Sequence, residues 1–195
     1  FSNTSTIDQL VTLKVNPKAE EAHKHKLKKI KAKKASVDAD GNVEYYICES
    51  CGRFFADKNG QKEIKKSQVI VSLQVKKGEV LKKADGTSYQ VADAKKLQVS
   101  YVSPSKRKSG TVNIPSKVII GGKTYQVTKI KKNAFKNNKK IKKIVIPSSV
   151  VSIENYAFAN CKNLKTIEIR TTKLKNKKIS SKAFKKINKK VVIRV

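Results

Sequence analysis

Apolar and polar residues alternate most regularly in the second half of the chain. Leu164-Lys-Thr-Ile167-Glu-Ile169 and Ile141-Lys-Lys-Ile144-Val-Ile146 each predict a short strand with one buried face, because successive side chains point to opposite sides of a pleated backbone. Pro147 ends the second strand, since it lacks a ladder donor, and Ser148-Ser149 turns the chain. Val150 and Ile153 return it to the core, and Ala157-Phe158 is expected to sit in a short helical turn. Further upstream, Val69-Ile-Val71, Leu73, Val75, Tyr89 and Val91, punctuated by Gly78 and Asp85-Gly86, predict strands and hairpins.

The pattern repeats. Ala134-Phe135 recurs as Ala157-Phe158, and the same offset of 23 carries Ile130 to Ile153, Asn138 to Cys161, Ile141 to Leu164, Ile144 to Ile167 and Ile146 to Ile169. A third copy follows at 26, with Ile179, Ala183-Phe184 and Ile187. Thr111-Val-Asn-Ile114-Pro115 echoes Ile144-Val-Ile146-Pro147, and a hairpin around Gly121-Gly122 intervenes as a cap. One such unit cannot bury its apolar side alone, so stacking must supply the core. The predicted fold is mainly β: a short leucine-rich-repeat solenoid, strand plus short helical turn per unit, behind an N-terminal Cys/His β module. Residues 1–22 read as a linker or the tail of a preceding domain, 23–65 as the Cys/His module, 66–110 as a β-rich connector with hairpins, and 111–195 as the repeat stack. The rings of Phe135, Phe158 and Phe184 are expected to line one buried stack, with Cys161 in the core beside them.

These residues resemble the BspA-type leucine-rich repeat of bacterial cell-surface proteins, over about 112–195. The pattern reads Ile130…Ala134-Phe135…Asn138…Ile141…Ile144-Val-Ile146-Pro147-Ser-Ser-Val150, with the lead-in Gly122-Lys-Thr-Tyr-Gln-Val-Thr128. Residues 23–65 resemble a second module of such proteins through His25-Lys-Leu27, Tyr45-Tyr46-Ile-Cys48-Glu-Ser-Cys51-Gly52 and Phe54-Phe55-Ala-Asp57; Val37 stands where that pattern carries a Cys. The resemblance implies an exported, extracellular protein of a bacterial surface, used in adhesion or contact with a host or matrix protein or glycan, and it supplies no catalytic residues. The chain begins at Phe1 and contains no Met, as expected of a processed protein or an excised piece.

The candidate chemistry is concentrated in one place. Cys48-x2-Cys51 with His23-x-His25 can supply the four N/S ligands of a tetrahedral structural zinc site, whereas free or disulfide-linked cysteines are the plainer alternative. A catalytic zinc would need an open position and a nearby carboxylate, for which Glu44 and Glu49 are candidates by proximity. Gly121-Gly122-Lys123-Thr124 lacks the earlier Gly of a phosphate loop and precedes a strand, so a hairpin turn is expected. Asp38-x-Asp40-Gly41 reads as a solvated turn, because a calcium loop spaces its ligands over about 12 positions. With only two histidines, both in the metal set, an enzyme is not expected.

Charge adds a rival. Lysine and arginine number 46 against 14 acids, a net charge of +32, so the chain will attract anionic polymers such as wall polymers, sulfated glycans or nucleic acid. Arginine stands only at 53, 107, 170 and 194, and Tyr125 and Tyr156 are the repeat region's candidate stacking platforms, which counts against a nucleic-acid partner. No stretch of about 18 apolar residues spans a membrane. A spacer role within a longer surface protein is the third reading.

Overall fold

The computed structural model describes residues 23–105, 109–174 and 178–195; the expected linker 1–22 and Arg107 lie outside the described residues. The alternating stretches at 141–146 and 164–169 supply strands, whereas of the expected Val69–Val75 stretch only Ile70–Val71 is a strand and Val69 ends a helical turn. The Cys/His module contains β1 (Leu27–Ile30), β2 (Gly41–Asn42), β3 (Tyr45–Cys48), β4 (Phe54–Phe55) and β5 (Glu63–Ile64). One helical turn, α1 (Lys66–Val69), leads to β6 (Ile70–Val71), β7 (Val80–Lys82), β8 (Ser88–Asp93) and β9 (Gln98–Ser103). The repeats supply β10 (Gly110–Asn113), β11 (Lys117–Ile120), β12 (Lys123–Ile130), β13 (Ile141–Ile146), β14 (Ser152–Ile153), β15 (Thr166–Ile169) and β16 (Val192–Arg194).

The solenoid has two sheet faces. On one, β10, β13, β15 and β16 run parallel, with Ile144 beside Ile167 and Ile146 beside Ile169, so the offset of 23 in sequence is one strand spacing in space. On the other, β12 lies parallel to β9 and β14, and Ile153 bridges Ile179, which sets Tyr101, Ile130, Ile153 and Ile179 in one row. The hairpins β11–β12 and β7–β8–β9 extend this second sheet. Ile141, Ile144, Ile146, Val150, Ile153, Leu164 and Ile167 are buried between the faces.

The third corner differs from the expected helical turn. Residues 132–137, 155–160 and 181–186 are successive turns closed by bonds such as Asn138 N–H to Phe135 O and Cys161 N–H to Phe158 O. Asn133, Asn137, Tyr156, Asn160 and Lys186 adopt positive φ, which interrupts a right-handed helix. Their neighbours' N–H groups reach across to the next unit instead, from Phe135 to Ala157 O at 2.7 Å and from Phe158 to Ala183 O at 2.9 Å. Inside this corner the rings form a ladder. Tyr101, Phe135, Phe158 and Phe184 stack at centroid separations of 5.4, 5.3 and 5.4 Å with interplanar angles of 12° or less. The ladder therefore begins at Tyr101, within the stretch expected to be connector, and Tyr89 closes it edge-on. Cys161 is buried in the core, donating its thiol to Phe135 O.

The Cys/His module is tied to the stack by backbone and charge. Gly41–Asn42 pairs with Ile70–Val71 across the 65/66 boundary. Gly121 N–H bonds Val37 O at 3.0 Å, and Asp38 pairs with Lys83 at 2.7 Å while accepting Ala84 N–H. The acidic stretch is thus a docking element and not a free solvated turn. Val37, where the resembled pattern carries a Cys, packs against the main core.

Candidate metal centre

The Cys48–Cys51 hairpin builds half of the site. Backbone bonds Cys48 N–H to Arg53 O and Gly52 N–H to Cys48 O fold the tight turn between β3 and β4, and Gly52 adopts φ +71°, which a residue without Cβ adopts at little cost. The other half arrives on the chain leading into β1. Antiparallel pairing sets Leu27 opposite Cys48, and Glu49 N–H bonds Lys26 O, so His23 and His25 lie over the cysteines. Phe55 packs its ring 4.6 Å from that of His25, and the His23 and His25 rings meet edge to face at 4.7 Å. Asp57 closes the neighbouring turn by accepting N–H bonds from Asn59, Gln61 and Lys62, which hold its carboxyl below the ordinary range against the raising effect of burial.

The four expected side chains converge. One ligand atom from each of His23, His25, Cys48 and Cys51 lies within 4.8 Å of the others, with Cys48 Sγ 3.5 Å from His23 Nε2 and Cys51 Sγ 3.7 Å from His25 Nδ1. A tetrahedron with metal–ligand bonds of about 2.0–2.3 Å has edges of roughly 3.4–3.8 Å, so these pairs match tetrahedral edges without further approach. The group can hold a metal ion, and its N2S2 donors suit zinc. Cys48 is prepared for ligation: a hydrogen bond from Ser50, followed by the Cys51 backbone N–H and the two histidines, outweighs burial and brings its thiol down to about 4. The lowering favours the thiolate, the form that binds metals. Cys161 has the opposite environment, where burial pushes its thiol up to about 11.

Glu44 and Glu49 do not approach as bases. Each is held in an ion pair, with Lys29 at 2.8 Å and Lys26 at 3.1 Å. Gly121-Gly122 is the expected hairpin turn, joining Ile120 to Lys123. Two contributors escaped the sequence reading: the Ser50 hydroxyl at Cys48 and the Phe55 ring beneath His25. Both lie inside the motif, and a search for donors and flat apolar neighbours within a few residues of each ligand would have found them.

No curated protein matches the chain. The family profile described as BspA type leucine rich repeat region matches residues 111–193, in 6 copies. Among solved structures, a leucine rich cell surface protein from Faecalibacterium prausnitzii A2-165 is similar at 21% identity and TM-score 0.44, over 60% of this chain and 30% of that one. A leucine-rich repeat protein from Bacteroides ovatus ATCC 8483 follows at 25% identity and TM-score 0.40, over 55% and 35%. The pneumococcal vaccine antigen PcpA aligns at 19% identity and TM-score 0.38, over 58% and 31%. The chain spans about a third of the length of the first two. The strand offsets and the aromatic ladder agree with the match of residues 111–193 to the BspA-type leucine-rich-repeat profile.

Proposed function

We propose that the chain is a non-enzymatic binding module of an extracellular bacterial surface, contacting a host or matrix protein or a glycan. One observation carries the reading. Most of the apolar mass is consumed in a stack from Tyr101 to Phe184, while the outer positions are mostly polar and lysine-rich, an arrangement that displays a surface. The Cys/His site supports a non-catalytic role. Four side chains would fill a zinc ion's tetrahedral sphere and leave no open position, so the ion would act as a staple for a region with little core of its own. Among the described residues no helix is long and apolar enough to cross a membrane.

The experiment is binding to immobilised matrix proteins, wall polymers, heparin and DNA at about 0.15 M and about 0.5 M salt, across which the screening length shrinks nearly twofold and polyanion affinity falls steeply. Retention of one partner at the higher salt is the expected result. Loss of every interaction would replace this reading with the second one, an electrostatic binder of anionic polymers, which the net charge of +32 favours. Indifference to all partners at both salts would leave a spacer.

A further inference from the structure

Three consecutive strands, β10, β13 and β15, end side by side, and the turns that follow them line a groove of about 460 Å³ together with β12. Its lining combines cations with hydroxyl groups. Lys117, Lys129, Arg170 and Lys173 stand around it, interleaved with hydroxyl and amide side chains, and no carboxylate or aromatic ring faces it among the described residues. Arg170 donates through Nε to Glu168, whereas the three lysines have no carboxylate partner among the described residues. The volume falls within the range of small-molecule sites, roughly 300–1,000 Å³.

Two features show that the groove is built. Thr128 is buried, and neither its hydroxyl nor that of Ser149, both in the groove lining, has a hydrogen-bond partner. Buried polar groups are nearly always satisfied, so a pair of orphan hydroxyls in one polar groove points to a partner that arrives from outside. The backbone also departs from regular pairing here. Val127 sits opposite Val99 and Lys129 opposite Ser100, leaving Thr128 as an extra residue in a β-bulge, a device that re-aims a side chain.

We propose that this groove is a binding site for an acidic saccharide, a sugar unit bearing carboxylate or sulfate, with Lys117, Lys129 and Lys173 meeting the anion and Thr128 and Ser149 meeting the ring hydroxyls. The proposal rests on the binding-module reading and names its site and ligand class. Cations select charge, closely spaced hydroxyls and amides select a polyhydroxylated ring, and the lack of aromatic rings disfavours a neutral sugar held by stacking.

The test is calorimetric titration of the full chain with two probes, a sulfated heparin tetrasaccharide and a galacturonate tetrasaccharide, which separate sulfate from carboxylate ligands. One saccharide should bind per chain at about 0.5 M salt, where screening suppresses diffuse attraction. Thr128→Val preserves shape and charge; it should lower affinity roughly fivefold to tenfold while thermal stability holds or rises, since it removes an unsatisfied buried hydroxyl. Lys117→Ala with Lys129→Ala should lower affinity at least about tenfold, whereas the equally charged control Lys139→Ala with Lys162→Ala should change it less than about twofold. Equal losses from both lysine pairs, or full affinity in Thr128→Val, would overturn the site. Failure of both saccharides while a matrix protein still binds would also overturn it and leave the binding-module reading intact; failure of every partner would remove both.

Discussion

The repeat stack and the Cys/His module meet the same shortage of core by different means. In the stack each unit contributes Ile, Leu and Phe side chains that only a neighbour can cover, and the accumulated core is continuous from Leu81 to Ala183. In residues 23–65 the fully buried apolar side chains are Cys48 and Phe55. A segment of that size seldom folds on area alone, and ligation or docking must supply the remainder. Repetition makes hydrophobic area available wherever a unit can be added, whereas a single small module gathers strong local contacts instead: four convergent ligand atoms and a set of bonds to the stack.

The largest effect that would break this contrast is in the ladder. Phe158→Ala, with rings on both sides, should cost about 4 kcal/mol in urea unfolding, and Phe184→Ala, half-buried at the end, about half as much. Equal costs would mean that the rings do not act as a stack. Next comes the joint between the regions. A Cβ on Gly121 would lie 2.3 Å from Leu73 Cβ, and φ there is +50°, so Gly121→Ala should cost roughly 2–3 kcal/mol and loosen the module at Val37. Hydrogen exchange in β2 and β6 would report that loosening.

The stack should also be visible at alkaline pH. Burial first, then the charge of Asp85, raises the Tyr89 phenol to about 12. A group whose folded pKa is raised stabilises the fold fully below its unfolded value, about 10 for Tyr, and that contribution is lost as pH rises through the folded value. Tyrosinate absorbance should therefore show Tyr89 and Tyr101 resisting ionisation beyond the ordinary tyrosine range; ionisation of both rings at the ordinary value would show that the ladder is open. The smallest effect is at the surface between units. Glu154 joins Lys131 at 3.0 Å and accepts Lys132 N–H, so Glu154→Gln should cost only about 0.5–1 kcal/mol in the same unfolding assay.

The stack was legible because Ile144, Ile146, Ile167 and Ile169 carry both signals, alternation within a strand and a fixed offset between strands, and the structure pairs them in that register. Tyr101 was not legible as the first rung. The β11–β12 hairpin lengthens its spacing to Phe135, and the ring bears a hydroxyl where the later units have Phe. The metal set could be read because its two ligand types, His and Cys, are scarce, and their spacing limited where they could meet. The docking role of Asp38 and Val37 had no local trace, since Lys83 and Gly121 are remote in sequence. Thr128 and Ser149 looked like ordinary turn and strand residues, and only the bulge and the neighbouring turns bring them to one groove. The helical turn failed for a conformational reason: Asn133 and Asn137 accept positive φ and release N–H groups to the next unit.

The most direct test of the contrast is amide hydrogen exchange on the full chain with one equivalent of zinc and after chelation. Chelation should strip protection from β1, β3 and β4 while leaving β13 and β15 unchanged, because metal binding is folding free energy only where the ligands are. Unchanged protection in β1, β3 and β4, or equal loss in both regions, would contradict the division of the chain into a ligated module and a self-supporting stack.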